Sequence, residues 1–325
     1  MSPLYSLEEI LDIVNTQIKG IRFTQKPASL FEPINYILSL GGKRIRPALA
    51  LMACNLYRNN IAAAIPVAMG VEVFHNFTLL HDDLMDRADQ RRGKPTVHVK
   101  WSDNTAILSG DAMLIEAYKE ICKVDRRYLE PVLNLFSVTA SEICCGQQYD
   151  MEFEKRMDVT IPEYLEMIRL KTAVLLGCAL KEGAMVAGAF EDDMKLLYDF
   201  GINMGLAFQL KDDLLDVYGN PETFGKKTGG DILCNKKTFL LINALADPTA
   251  KDELYSWIEK KEFDEAEKIA AVTAIYDRLG LRAKSEELIR EYYDKSVACL
   301  GKVSVSDDRK EVLFALAEDL INRNV

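Results

Sequence analysis

The chain has 325 residues, 49% hydrophobic and 28% charged, with a formal net charge of -10 at pH 7. That balance excludes a disordered or fibrous chain, and the negative charge argues against a general affinity for nucleic acid, whose phosphates require a basic surface. Length alone leaves one large domain or two ordinary ones open.

Met1 to Ile10 shows no basic stretch followed by an apolar core, so no secretory signal is expected. Ser6-x-x-Glu9 opens a first helix as a capping box. Gly41-Gly42-Lys43-Arg44-Ile45-Arg46-Pro47 follows, a glycine turn carrying cations into a helix start where proline is tolerated. Unpaired N–H groups at such a start attract anions, although basic loops are also common as plain solvated surface. The longest uninterrupted apolar run, Ile61 to Val71, contains Pro66 and is too short to cross a bilayer, so no membrane span is expected.

A segment from Val71 to Leu80, apolar on most sides and therefore expected to be buried, leads into Asp82-Asp83-Leu84-Met85-Asp86. Residues four apart share a helix face, so Asp82 and Asp86 pair, with Asp83 expected beside them. Three hard oxygen donors facing one space suit Mg²⁺ that also keeps waters and binds substrate phosphate oxygens. An isolated acidic triplet is often only a solvated face, but carboxylates at the end of a buried helix need partners or metal. Arg91-Arg92-Gly93-Lys94 comes next, and paired arginines suit bidentate phosphate contacts.

Cys144 and Cys145 are the only clustered pair among seven cysteines, and no Cys-x-x-Cys occurs, so reduced thiols of a cytoplasmic protein are expected. The three histidines, His75, His81 and His98, form no zinc pattern with them. Thr160-x-x-Glu163 with Pro162 opens a long helix. Glu191-Asp192-Asp193 lies at a helix start and is explained by the helix dipole and solvent. Phe200 to Leu210 then leads into Asp212-Asp213-Leu214-Leu215-Asp216, with Gly201 and Gly205 expected to leave room below Asp212. Gly225-Lys226-Lys227 and Lys236-Lys237 follow, so the second motif repeats the first in having a basic, glycine-containing sequel.

Three- and four-residue apolar spacing recurs throughout and two-residue alternation does not, which predicts an all-α protein of roughly ten to twelve helices. Glycine and proline stops cluster at Gly41-Gly42, Gly93 to Pro95, Gly219 to Pro221, Gly229-Gly230 and Asp247-Pro248. With no fixed-period repeat or low-complexity linker, residues 1–325 are read as a single domain.

Gly-Gly-Lys-Arg-Ile-Arg-Pro, the segment His75 to Gly93, and Phe208 to Asp216 together resemble the trans-isoprenyl diphosphate synthase family, in matching order and spacing from about Gly41 to Phe239. The resemblance implies an all-α bundle around a deep central cavity, a homodimer, three Mg²⁺ ions, and head-to-tail joining of isopentenyl diphosphate to an allylic diphosphate. By matching position it implies metal ligation by Asp82, Asp86 and Asp212, supported by Asp83, Asp213 and Asp216. Isopentenyl diphosphate would be held by Lys43, Arg46, His75 and Arg92, and the allylic diphosphate by Arg91, Lys171, Lys226 and Lys236. Thr172 and Gln209 would set oxygen dipoles near a carbocation, with Gln147 and Asp150 close by. Phe77 and Thr78, five and four residues before the first aspartate, would limit the product to fifteen to twenty carbons, a farnesyl or geranylgeranyl diphosphate. A longer-chain synthase is the alternative. A class I terpene cyclase fits less well, because its second motif normally mixes Asn, Ser and Glu and it has no use for Lys43, Arg46 and Arg92.

Overall fold

A computed structural model describes residues 4–219 and 228–322, and its helices group into two compact units. The expected all-α class is what is found. Among the described residues the only strands are Gln90–Arg91 and Lys94–Pro95, two residues each. There are more α-helical segments than ten to twelve, partly because single turns such as Val97–Lys100 and Gly230–Leu233 stand as separate helices.

The first unit comprises residues 1–137, 178–197 and 303–313. Its helices begin with α1 (Leu7–Gly20), α2 (Ala28–Ser39), α3 (Ile45–Tyr57) and α4 (Ile65–Met85). The capping box at Ser6 and Glu9 forms as expected. Apolar residues surround α4 on all sides because it is a core helix: Val67 to Phe74 are buried without a break. By length and composition the stretch Ala62–Met85 could cross a membrane, a possibility the uninterrupted run Ile61–Val71 did not reveal. Within the protein, 61% of an apolar 18-residue segment of that stretch is buried. Gly70 brings α6 (Asp103–Ile121) close to α4, since a Cβ there would lie 2.6 Å from Ile121. Each large side chain so buried contributes about 1.5–3 kcal/mol.

The same unit corrects the reading of Asp193. Far from solvated, it is 3% exposed and accepts from Tyr57 Oη (3.0 Å), Ser304 N (2.9 Å) and Ser304 Oγ (2.6 Å). Arg309 donates to the carbonyls of Asn55 and Leu56, which closes the free end of α3.

The second unit comprises residues 138–177, 198–302 and 314–325. The Thr160 capping box starts α8 (Ile161–Ile168), which passes through a π turn at Arg169–Ala173 into the helix Val174–Ala187. One apolar cluster gathers Tyr164, Met167, Leu206, Leu210, Leu214, Phe239 and Ile242. A second joins Ile232, Leu240, Leu241, Val272, Ile275 and Tyr276.

Candidate active site

The first aspartate motif closes α4. Asp86 N donates to Asp82 O (2.8 Å), Arg87 adopts a left-handed φ of 53°, and Ala88 N reaches back to Asp83 O (2.9 Å). This is a Schellman-type ending, with arginine where glycine is usual. Asp82 is half-buried and Asp86 exposed, one turn apart on the same side of the helix. Asp83 is not on that side, because consecutive helical residues diverge by about 100°. It is 4% exposed, and both its oxygens accept from Arg91, from Nε and Nη2, at 2.7 Å each. The expectation of three donors facing one space therefore fails for Asp83, and Arg91, expected on a diphosphate, is here clamped to that carboxylate.

Arg91 begins a hairpin with Arg92 and Gly93 at its tip, at φ 53° and 71°. Two successive left-handed residues are what the type I′ form of a two-residue hairpin turn requires. The turn aims Arg92 back at the glycine loop, where its guanidinium donates to Gly41 O. A Cβ on Gly42 (φ +137°) would lie 2.7 Å from Arg92 Nη2, so a side chain there would displace the guanidinium.

Arg46 Nη1 lies 3.3 Å from His75 Nε2. Guanidinium can only donate, so Nε2 accepts and the imidazole is neutral with its proton on Nδ1. Burial, followed by the charges of Arg46, Arg92, Arg91 and Arg44, pulls the His75 pKa well below its usual value. Arg44 is the residue of this loop that sequence reasoning passed over. It is buried with Glu72, donates to Leu38 O (2.9 Å), and through Glu72 meets Asn76 Nδ2 (2.8 Å). A charged Glu72 inside an otherwise apolar run was the available signal. Lys43 is exposed at the edge of the same loop.

Below the motif, Phe77 is buried, with its ring 4.8 Å from His81 and 5.4 Å from Phe74. Thr78 is half-buried, and its hydroxyl turns back to donate to His75 O (2.8 Å).

The other motif lies on the last turns of α10 (Glu191–Tyr218), in the part of that helix that belongs to the second unit. Asp212 and Asp216 are half-buried and one turn apart. Asp213, like Asp83, is turned inward. It is 5% exposed and accepts from Tyr164 Oη (2.6 Å) and Gln209 Nε2 (2.8 Å). Burial pushes its pKa up to about 6, while Lys236, Tyr164 and Gln209 act in the opposite direction. Gln209 in turn accepts from Thr172 Oγ1 (3.0 Å), so Thr172, Gln209, Asp213 and Tyr164 form one chain of hydrogen bonds. No sequence pattern marks Tyr164 as its end.

Lys171 and Thr172 sit on the π turn, a distortion found mostly at functional sites. Lys171 Nζ donates to Asp150 Oδ2 at 2.6 Å. A Cβ on Gly146, one turn before Asp150, would lie 2.4 Å from Lys171 N, so glycine is what lets α7 (Arg126–Glu154) approach this turn. Gln147 is half-buried beside it. Gly205 was expected to leave room but instead seals a close contact: a Cβ there would lie 2.6 Å from Ala173 Cα. Lys236 is half-buried; Lys226 lies outside the described residues.

Among the described residues no group of three or more His, Cys, Asp or Glu side chains is arranged to hold a metal. Each motif instead offers two carboxylates. That donor set fits Mg²⁺, which is usually held by one or two carboxylates and keeps waters or phosphate oxygens in its other positions.

The polyprenyl synthetase family matches residues 27–276. A geranylgeranyl diphosphate synthase of Methanosarcina mazei is 43% identical over 236 residues, 71% of this chain and 72% of that protein. A short chain isoprenyl diphosphate synthase of Methanocaldococcus jannaschii is 36% identical over 97% of this chain and 95% of its own length. A crystal structure of a geranylgeranyl pyrophosphate synthase superposes with a TM-score of 0.95 at 44% identity, covering 98% of this chain and 99% of the other.

Proposed function

Because the chain belongs to the polyprenyl synthetase family, a family of trans-prenyltransferases, we propose that it joins isopentenyl diphosphate head to tail to an allylic diphosphate, ending at geranylgeranyl diphosphate within the fifteen-to-twenty-carbon range. The naming of similar proteins as geranylgeranyl diphosphate synthases supports that endpoint. One polyprenyl synthase domain acting as a homodimer completes the reading. Exposed Leu108 and Ile115 on α6, at 59% and 60%, support an apolar self-contact.

The observation that carries the proposal is the basic cluster around His75. Arg44, Arg46, Arg91 and Arg92 all act on one neutral imidazole. Glu72 answers Arg44 and Asp83 answers Arg91, and a substrate diphosphate is the anion assigned to Arg46 and Arg92. Arg46 and Arg92, with Lys43, hold the diphosphate of isopentenyl diphosphate, and His75 orients Arg46 by accepting from it. Arg44 is spent on Glu72 and fixes the loop.

Asp82, Asp86, Asp212 and Asp216 are the proposed magnesium ligands. Bound Mg²⁺ supplies Lewis-acid charge that makes the allylic diphosphate a better leaving group. Lys171 and Lys236 grip that diphosphate and take up the negative charge that grows on it as the C–O bond breaks. Thr172 and Gln209 present oxygen dipoles to the allylic cation left behind. Asp213 holds Gln209 in orientation, and Asp83 does the same for Arg91, which can exchange the carboxylate for phosphate. The alkene of isopentenyl diphosphate attacks the cation, and the departing pyrophosphate accepts the proton that is lost.

Replacing Arg46 or Arg92 with Gln is expected to raise the KM for isopentenyl diphosphate about tenfold or more, the loss of one charge-assisted contact. The KM for the allylic partner should be nearly unchanged. Equal effects on both substrates, or on neither, would contradict the assignment.

A further inference from the structure

Within the second unit, the stretch from Gly229 to Lys237 ties the second aspartate motif to Lys236. At its beginning Gly229 N donates to Asp216 O (2.6 Å) and Asp231 N to Asp216 Oδ2 (3.0 Å). At its end Asn235 takes a left-handed φ of 53°, Asn235 N donates to Ile232 O (3.2 Å), and Lys236 N donates to Asp231 O (2.9 Å). The chain thus reverses at Asn235, and the direction in which Lys236 leaves depends on that one residue.

Two buried lysines hold Asn235. Lys237 Nζ donates to its carbonyl oxygen (3.1 Å) and to Glu154 O (3.4 Å). Lys268, on the helix Glu265–Arg278, donates to Asn235 Oδ1 (2.8 Å) and Leu233 O (3.3 Å), and its ammonium lies 4.3 Å from the centre of the Phe263 ring. Lys268 is 1% exposed, and these partners are all neutral. Burying an ammonium against neutral acceptors is expensive, and an apolar side chain of the same length would pack on Phe263 without that cost. A purely structural role is therefore served badly by lysine here. What lysine adds is a directed grip on the side chain that sets the reversal.

We propose that Lys268 is a positioning residue for prenyl transfer: by holding Asn235 it fixes the turn that sets Lys236 beside the second aspartate motif, where Lys236 meets the allylic diphosphate. This rests on the assignment of Lys236 as a ligand of that diphosphate. A displacement of about 1 Å in such a contact is enough to weaken it severely.

The test is steady-state kinetics of the full-length enzyme with Mg²⁺, both substrates varied, on Lys236→Gln, Lys268→Met, Asn235→Gly and the double variant Lys268→Met/Lys236→Gln. Methionine keeps the length and the ring contact of Lys268. Glycine keeps the left-handed turn while removing the acceptor. Lys268→Met and Asn235→Gly are each expected to raise the allylic KM about tenfold and leave the isopentenyl KM within about twofold, and the double variant should be no worse than Lys236→Gln alone. If Lys236→Gln leaves the allylic KM unchanged, the ligand assignment fails and the proposal with it. If Lys236→Gln raises it while Lys268→Met and Asn235→Gly do not, or if the penalties multiply in the double variant, Lys236 keeps its role and Lys268 loses its own. Should Lys268→Met fail to fold by circular dichroism, Asn235→Gly decides by the same criteria.

Discussion

Glu182 is fully buried in the first unit, and the donor its carboxylate meets is the weak one of the Cys178 thiol. Burial pushes its pKa up to about 8, and the Cys178 thiol one turn away is too weak a donor to offset this. Between about pH 4.5 and about 8 the unfolded chain releases this proton while the folded protein keeps it. Stability attributable to Glu182 therefore falls as pH rises through that window. Glu182→Gln should be more stable than the native protein at pH 7 by on the order of 3 kcal/mol. The gain should shrink toward pH 5 in urea titrations, and a gain independent of pH would contradict the account. Phe77 permits a second prediction. Its ring packs against Phe74 and His81, and by the role the family resemblance gives it Phe77→Ala should lengthen the product by five-carbon units. The variant should also lose about 3 kcal/mol of stability. Unchanged product length by mass spectrometry would remove Phe77 as the limit.

Helix contacts made through missing side chains decide where Lys171 and Thr172 stand. Gly146→Ala would push a methyl group into the backbone of the π turn. It should cost about 1–3 kcal/mol in thermal unfolding and lower kcat together with allylic affinity. Full activity with an unchanged midpoint would mean that the turn yields freely. Elements whose signals are local were legible in the sequence: the capping boxes at Ser6 and Thr160 and the apolar run of α4 all form as read. The π turn was not legible, because no residue type specifies an inserted helical residue. Nor were the reversals at Arg87 and Asn235, where the left-handed position is taken by residues other than glycine. The hairpin at Arg92-Gly93 was seen only as a stop, since two-residue strands are too short to show alternation. Gly201 and Gly205 were read as space, but whether a glycine opens a cavity or seals a contact depends on the facing helix. For Gly205 that helix carries Ala173.

For the molecule as a whole, family membership was legible because its aspartate and arginine motifs are contiguous and ordered, and the matched residues 27–276 include all of them. The 100° step between helical residues turns the middle aspartate of each motif away from its neighbours, but what receives it was not legible: for Asp213 the sequence-distant Tyr164, and for Asp83 an arginine eight residues on that a hairpin delivers. The division of labour that results makes a graded prediction. Asp82→Asn and Asp212→Asn should abolish turnover and remove its rescue by added Mg²⁺. Asp83→Asn should instead impair the reaction through Arg91 and stay responsive to Mg²⁺. Equal Mg²⁺ responses in all three would erase the distinction between inward and outward carboxylates. The most direct measurement incubates the protein with Mg²⁺, isopentenyl diphosphate and, separately, five-, ten- and fifteen-carbon allylic diphosphates, and weighs the products. Condensation ending at twenty carbons, abolished by chelating the metal, is the predicted result. Absence of any elongated diphosphate, or release of a cyclised hydrocarbon without consumption of isopentenyl diphosphate, would contradict it.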